Sequence, residues 1–357
     1  MRTTQNFGVL VRTLLLAALA AVLLAGTTRA RQGEIVVYSS ADEAVLGPLV
    51  EAFTGKTGVR VRVERGTNRV GKDWLFDSLT TGGAKADVVV ACDAVHAARL
   101  AQAGALEPFE IQGSEIPGGM RDAQGRWHGF GARARVLVYR GEKAPSYQHR
   151  DGDERTFTKM RELWHPNLSK GVFVMTQPEG TTAGSHMAIL WTLWERAEAR
   201  KWDFQMQRQK VRLVNTDEEV VAALANGEAL EGMADADDVA RARAAGKDVS
   251  MVPLVHDKHT IQDELEKSFG VVMLPHAAGV ARGASNAEGA RKFVEFVVSA
   301  EAARMLAGSA SGLAPVIPSV SAEFPALTPE NVQEVDFNGA AQVYEEAMSN
   351  FREAMPG

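Results

Sequence analysis

Three carboxylates occupy four consecutive positions in Asp235-Ala236-Asp237-Asp238, just after the strand-like run Leu230–Met233. One of them could cap a helix, but three repel one another and call for a cation, an amine or full solvation. Facing a cleft, Asp237 and Asp238 would offer hard oxygen ligands to a metal or pair with a ligand's ammonium. The spacing leaves both readings open, beside that of a solvated acidic helix start. A second group, Gly180-Thr181-Thr182-Ala183-Gly184-Ser185-His186, precedes a helix pattern. Thr182 is the expected N-cap, and Ala183, Gly184 and Ser185 would present backbone N–H groups to an anion. Arg133 and Arg135 alternate on one strand and so share a face. They would receive a phosphate or carboxylate, or else pair with Asp73, Asp93 or another acid. Ser39-Ser40-Ala41-Asp42 follows the first strand of the chain and is the expected ligand-touching turn.

Other chemistries lack support. His256 and His259 are three apart and His276 lies further on, but neither an HExxH motif nor a Cys pair accompanies them. They are expected to be structural or solvent-exposed. The chain carries no GxSxG, no P-loop and no GxGxxG with a following acid. A binding protein is expected, not an enzyme, with no cofactor. The only cysteine, Cys92, ends the apolar run Val88–Cys92 and is read as a packing residue.

Alternating strand and helix patterns must position these groups, which predicts an α/β fold with parallel sheets covered by helices. The first half offers Val36–Tyr38, a helix through Val45–Phe53, Val59–Val63, Trp74–Leu79, Asp87–Cys92 and Val95–Ala103. After a Gly/Pro-rich passage over 113–131, Val136–Tyr139 reads as a strand crossing into a second lobe. There the pattern gives Val172–Met175, one long helix Ala183–Ala197, Val211–Val214, Glu218–Ala225, Leu230–Met233 and Asp238–Ala245. Phe269–Met273 would return the chain to the first lobe, and a last helix is expected near Ala340–Met355. The expected organisation is 31–131 plus 271–320 as lobe 1 and 132–270 as lobe 2. Residues 321–357 would form a C-terminal helical segment packed on both.

Residues 1–30 read as a signal peptide. Arg2 and Arg12 flank a basic start, the apolar stretch Leu14–Ala25 is too short to span a bilayer, and Thr28-Arg29-Ala30 offers a cleavage site. The remainder carries 36 Lys and Arg against 45 Asp and Glu, a charge of −9, which disfavours a nucleic-acid partner. A periplasmic, soluble protein is therefore expected.

Taken in order, several segments resemble the periplasmic solute-binding proteins of ABC importers, in their ferric-iron-binding-like branch. They are Val36-Val37-Tyr38-Ser39-Ser40, Phe53–Val59, Ala86-Asp87-Val88, Gly104-Ala105-Leu106, Arg133–Tyr139 and Gly180–Gly184. The resemblance implies a two-lobed type II fold with the ligand between the lobes, a monomer, and a permease partner in the cytoplasmic membrane. By position it implies ligand contacts at Ser39, Ser40, Asp42, Arg133, Thr182, Ala183, Gly184, Asn215, Asp235, Asp237 and Asp238. Iron-binding members use two consecutive tyrosines where this chain has Asp237-Asp238, and its four tyrosines form no pair. The expected cargo is a small anionic or zwitterionic solute such as an aminophosphonate or a phosphorylated compound. The alternatives are ferric iron or a divalent metal on Asp42, Asp237 and Asp238 with a bound anion, and a ligand sensor for a membrane kinase.

Overall fold

The computed structural model describes residues 33–66, 73–81, 83–142, 144, 146–148, 154–156, 159–160, 163, 173–257, 269–310 and 312–355. The expected signal peptide and His259 lie outside these residues.

β1 (Ile35–Ser39) buries alternate residues and leads through α1 (Glu43–Thr57) to β2 (Val61–Arg65), its parallel neighbour. After α2 (Trp74–Thr80), β3 (Val88–Ala91) pairs in parallel on the other side of β1 and is buried throughout, as a strand covered on both faces must be. α3 (Ala94–Gln102) follows, then the short β4 (Leu106–Glu107).

β5 (His128–Arg140) joins the two halves of the molecule. It is longer than the expected Val136–Tyr139 because its first half enters one sheet and its second half another. Beyond it come β6 (Ser146–Gln148), β7 (Glu154–Thr156), β8 (Phe173–Thr176) and α4 (Thr182–Leu193). α5 (Arg196–Arg208), β9 (Arg212–Val214), α6 (Asp217–Ala225), β10 (Glu231–Asp235), α7 (Ala236–Ala244) and β11 (Val249–Pro253) complete the second half. β10, β8 and β9 run parallel, while Arg135–Tyr139 of β5 pairs antiparallel with β10. The chain returns through β12 (Val255–Asp257), β13 (Phe269–Val271) and β14 (Met273–Ala281), and β14 lies between β3 and the first half of β5. The strand order is thus β2-β1-β3-β14-β5-β10-β8-β9, two lobes of a mixed α/β fold sharing β5. α8 (Ala287–Val297) and α9 (Ala300–Ala307) return to the first lobe, where Phe293 meets Phe53 edge-on with ring centroids 5.0 Å apart. α10 (Pro318–Ser321) is a single turn.

The last helix, α11 (Phe337–Ala354), packs on both α3 and α4 and so bridges the lobes. Its Tyr344 is buried, with the Arg99 guanidinium 4.0 Å from the ring centroid.

The single helix expected over Ala183–Ala197 is two. Trp194 is extended (φ −109°, ψ 159°), and α5 restarts two residues later. α5 is rich in Arg, Glu and Lys, so its apolar side is only Ala199, Trp202 and Met206. The helix expected from Asp238 starts at Ala236, which puts Asp237 and Asp238 in its first turn instead of a loop.

Candidate functional site

The carboxyl ends of β1, β3, β8 and β10 and the starts of α1, α6 and α7 open onto one cavity of about 350 Å³. This is where open α/β sheets place ligands. Ser39, Ser40 and Asp42 line it from the first lobe, and Arg133 from the crossing strand. Thr182, Asn215, Asp235, Asp237 and Asp238 line it from the second.

Ala183 and Gly184 do not reach it. Both are buried, and a Cβ at Gly184 would sit 2.1 Å from Pro178 O. The expected anion turn is displaced because the N-cap is Thr181, one residue earlier, and its hydroxyl donates to Gln177 O (2.8 Å) and Pro178 O (3.0 Å). Ser185, also buried, bonds His96 Nδ1 (3.0 Å).

Helix starts around the cavity fall into two kinds. Asp93 caps α3 through the N–H groups of Val95 (2.8 Å) and His96 (3.0 Å), and Thr216 caps α6 through Glu219 N (3.2 Å). Asp42 and Asp235 occupy the same positions on α1 and α7 but make no side-chain cap. A carboxylate that forgoes its cap is available for other partners.

Asp235 uses that freedom in a buried ionic network. Arg133 Nε donates to its Oδ2 (2.8 Å), Arg135 Nη1 to its Oδ1 (2.9 Å), and Thr182 Oγ1 to Oδ2 (2.9 Å). Arg135 also donates to Asp217 (2.6 Å), which accepts from Thr176 as well. The two arginines do share a face, and their partners are Asp235 and Asp217, not Asp73 or Asp93. Burial opposes the charge of Asp235, but Arg133 and Arg135 outweigh it and hold its carboxyl well below the usual carboxylate range. For Asp217 burial wins over Arg135, and its carboxyl is pushed up. Arg133 is further committed through Nη2 to Cys92 O (2.8 Å) and through Nη1 to His276 Nε2 (2.9 Å). His276 Nδ1 in turn donates to Gly131 O (3.0 Å), which sets the tautomer. Burial and then the Arg133 charge push His276 down to about 3, so it stays neutral. Little of Arg133 is left for an anion.

A second group of carboxylates meets across the cleft. One oxygen each from Asp42, Glu218 and Asp238 lie within 4.8 Å of one another, with Asp42 from the first lobe and the others from the second. Burial, then repulsion by Asp237 and Asp217, raises Asp238 well above its ordinary value. Among the described lining residues, seven acids (Asp42, Glu43, Asp217, Glu218, Asp235, Asp237, Asp238) face two arginines, Arg65 and Arg133, an acidic balance.

Sequence reasoning missed Glu218, Asp217 and Thr176; His276, expected to be structural or exposed, is buried and bonded to Arg133. Glu218 lies in the run Asp217-Glu218-Glu219, which reads as an ordinary acidic first turn, and only its placement opposite Asp42 marks it. Cys92 is half-buried and lines the cavity, because β3 ends at Ala91 and Cys92 turns out of the sheet. His256 is buried against His186 (Nε2 to Nε2, 2.6 Å). Three of the four tyrosines are spent on packing. Tyr38 stacks on Trp74 at 5.6 Å, Tyr139 is buried in β5, and Tyr344 accepts from Gly180 N (2.9 Å). Among the described residues no tyrosine lines the cavity.

Residues 35–309 match the family described as bacterial extracellular solute-binding protein. The iron uptake protein A1 of Synechocystis is 26% identical over 301 residues, which span 78% of this chain and 75% of that protein. Among solved structures, a Trichodesmium protein (IdiA, FutA) described in complex with iron and citrate has a TM-score of 0.70 at 23% identity. That match covers 90% of this chain and 99% of the other. Iron-bound HitA from Pseudomonas aeruginosa has a TM-score of 0.72 at 20% identity, over 90% and 99% of the two chains.

Proposed function

Because the chain belongs to the bacterial extracellular solute-binding protein family, the binding component of an ABC importer, we propose that its cargo is a ferric ion or an equally hard multivalent cation. The observation that carries this reading is the convergence of Asp42, Glu218 and Asp238 from both sides of an acidic cleft. Hard oxygen donors suit Fe(III), and three carboxylates leave room in the shell for water or a small anion. Relatives described as an iron uptake protein and as iron-bound proteins support the same cargo. The phenolate pair is replaced by Asp237-Asp238, of which Asp238 belongs to the cluster and Asp237 bonds Arg241 Nη1 (2.9 Å).

An aminophosphonate is the less supported cargo. Its anion would need Arg133 and the N–H groups of Ala183 and Gly184, but the first is already bonded and the residues bearing the others are buried. In this reading the protein works outside the cytoplasmic membrane as a monomer, since one chain supplies both walls, and a permease receives the cation.

Thermal-shift measurements on the protein lacking residues 1–30 separate the cargoes. Ferric nitrilotriacetate is expected to raise Tm, the stabilisation reaching about 2.7 kcal/mol at a hundredfold excess over Kd. A shift with 2-aminoethylphosphonate and none with iron would reject the cation.

A further inference from the structure

The acidic cluster already holds a positive charge of its own. Arg241, in α7, donates through Nη1 to Asp237 Oδ2 (2.9 Å) and through Nη2 to Asp42 Oδ2 (3.3 Å), and it also bonds Asp238. Two of those acids belong to the three-carboxylate cluster, and one of them stands on the opposite lobe. We propose that Arg241 is a displaceable counter-cation that sets the charge threshold of the site, so that only a highly charged cation competes it away. This rests on the cation reading given above.

A carboxylate oxygen of Asp42 or Asp238 that faces the Arg241 guanidinium cannot at the same time face a metal ion. When all three carboxylates are ionised, Arg241 leaves them a residual −2; a trivalent ion in its stead brings them to zero, a divalent ion only to −1. Since interaction energy scales with the product of charges, exchange of Arg241 for a trivalent ion gains far more than exchange for a divalent one. A second observation concerns what Arg241 would leave behind. Asp237 is buried, its Oδ1 has no hydrogen-bond partner, and that oxygen is 3.8 Å from Arg133 Nε. Arg133, although its nitrogens are bonded to Asp235, His276 and Cys92 O, keeps its positive charge beside that oxygen, which lowers the cost of moving Arg241 away from Asp237.

The test compares Tb(III), a hard trivalent probe read by its luminescence, with Mn(II), read by electron paramagnetic resonance. Both are titrated into the protein lacking residues 1–30. In Arg241→Gln both the Tb(III) and the Mn(II) Kd are expected to fall by the same factor, about tenfold or more, because the cost of moving the guanidinium is common to whichever ion replaces it. Arg243→Gln removes an equal charge from an exposed position on the same helix and is expected to leave both constants within about twofold. Arg241→Lys keeps the charge and is expected to keep both constants near those of the unaltered protein. If Arg241→Gln changes neither constant, or lowers the Tb(III) constant well beyond the Mn(II) one as a guanidinium that stays in place would require, or if Arg243→Gln reproduces its effect, the threshold role is wrong while the cation reading stands. If no form of the protein binds either ion, the cation reading fails and takes this inference with it.

Discussion

At the scale of the residue, the site separates carboxylates fixed by the strand arginines from carboxylates that share a helix arginine. Asp235 and Asp217 are bonded to Arg133 and Arg135; Asp42 and Asp238 share Arg241, with Glu218 beside them. Asp238→Asn should therefore weaken Fe(III) binding by about tenfold or more, by loss of a charged ligand. Binding should also fall as pH drops, because a proton competes for a carboxyl held well above its ordinary value; isothermal titration at pH 7 and 5.5 reads both effects. Arg135→Met should cost about 3–5 kcal/mol in urea unfolding, because two buried carboxylates lose a partner. Glu231 gives a pH signature outside the site. Burial pushes its carboxyl up to about 7, so the unfolded chain ionises first, and the stability held by the neutral form is lost as pH rises through about 7. Glu231→Gln should raise Tm at pH 8 and change little at pH 4. An equal gain at both values would show that ionisation is not the cause.

At the scale of the element, the sequence made Asp42, Asp235 and Asp238 visible because strand-to-helix junctions are easy to find. It could not show which junction acids cap. Asp93 and Asp42 both precede helices, yet one bonds its own helix and the other turns to the cleft. The anion turn was misplaced for a related reason: Thr181 and Thr182 are equally good caps on paper, and the one-residue difference moved Ala183 and Gly184 behind the wall. α5 was lost because three apolar residues among charged ones make a faint stripe. The Gly180 turn is held by α11 through Tyr344, so Tyr344→Phe should cost about 1 kcal/mol in urea unfolding. An unchanged midpoint would mean that water replaces the hydroxyl.

At the scale of the molecule, two lobes share β5, and α11 packs on a helix of each. The alternating pattern, read with the resemblance, was enough to expect this fold, whereas the cargo was not legible in it. The balance of seven acids against two arginines appears only once distant segments line one cavity. Asp42 is the one member of the carboxylate cluster on the first lobe, so a cation there would tie the lobes together. The most direct measurement is anomalous diffraction at the iron edge from crystals grown with ferric nitrilotriacetate. The account requires one iron peak about 2.0–2.6 Å from oxygens of Asp42, Glu218 and Asp238, with Arg241 turned away. An iron-free cleft, or iron bound without these carboxylates, would contradict it.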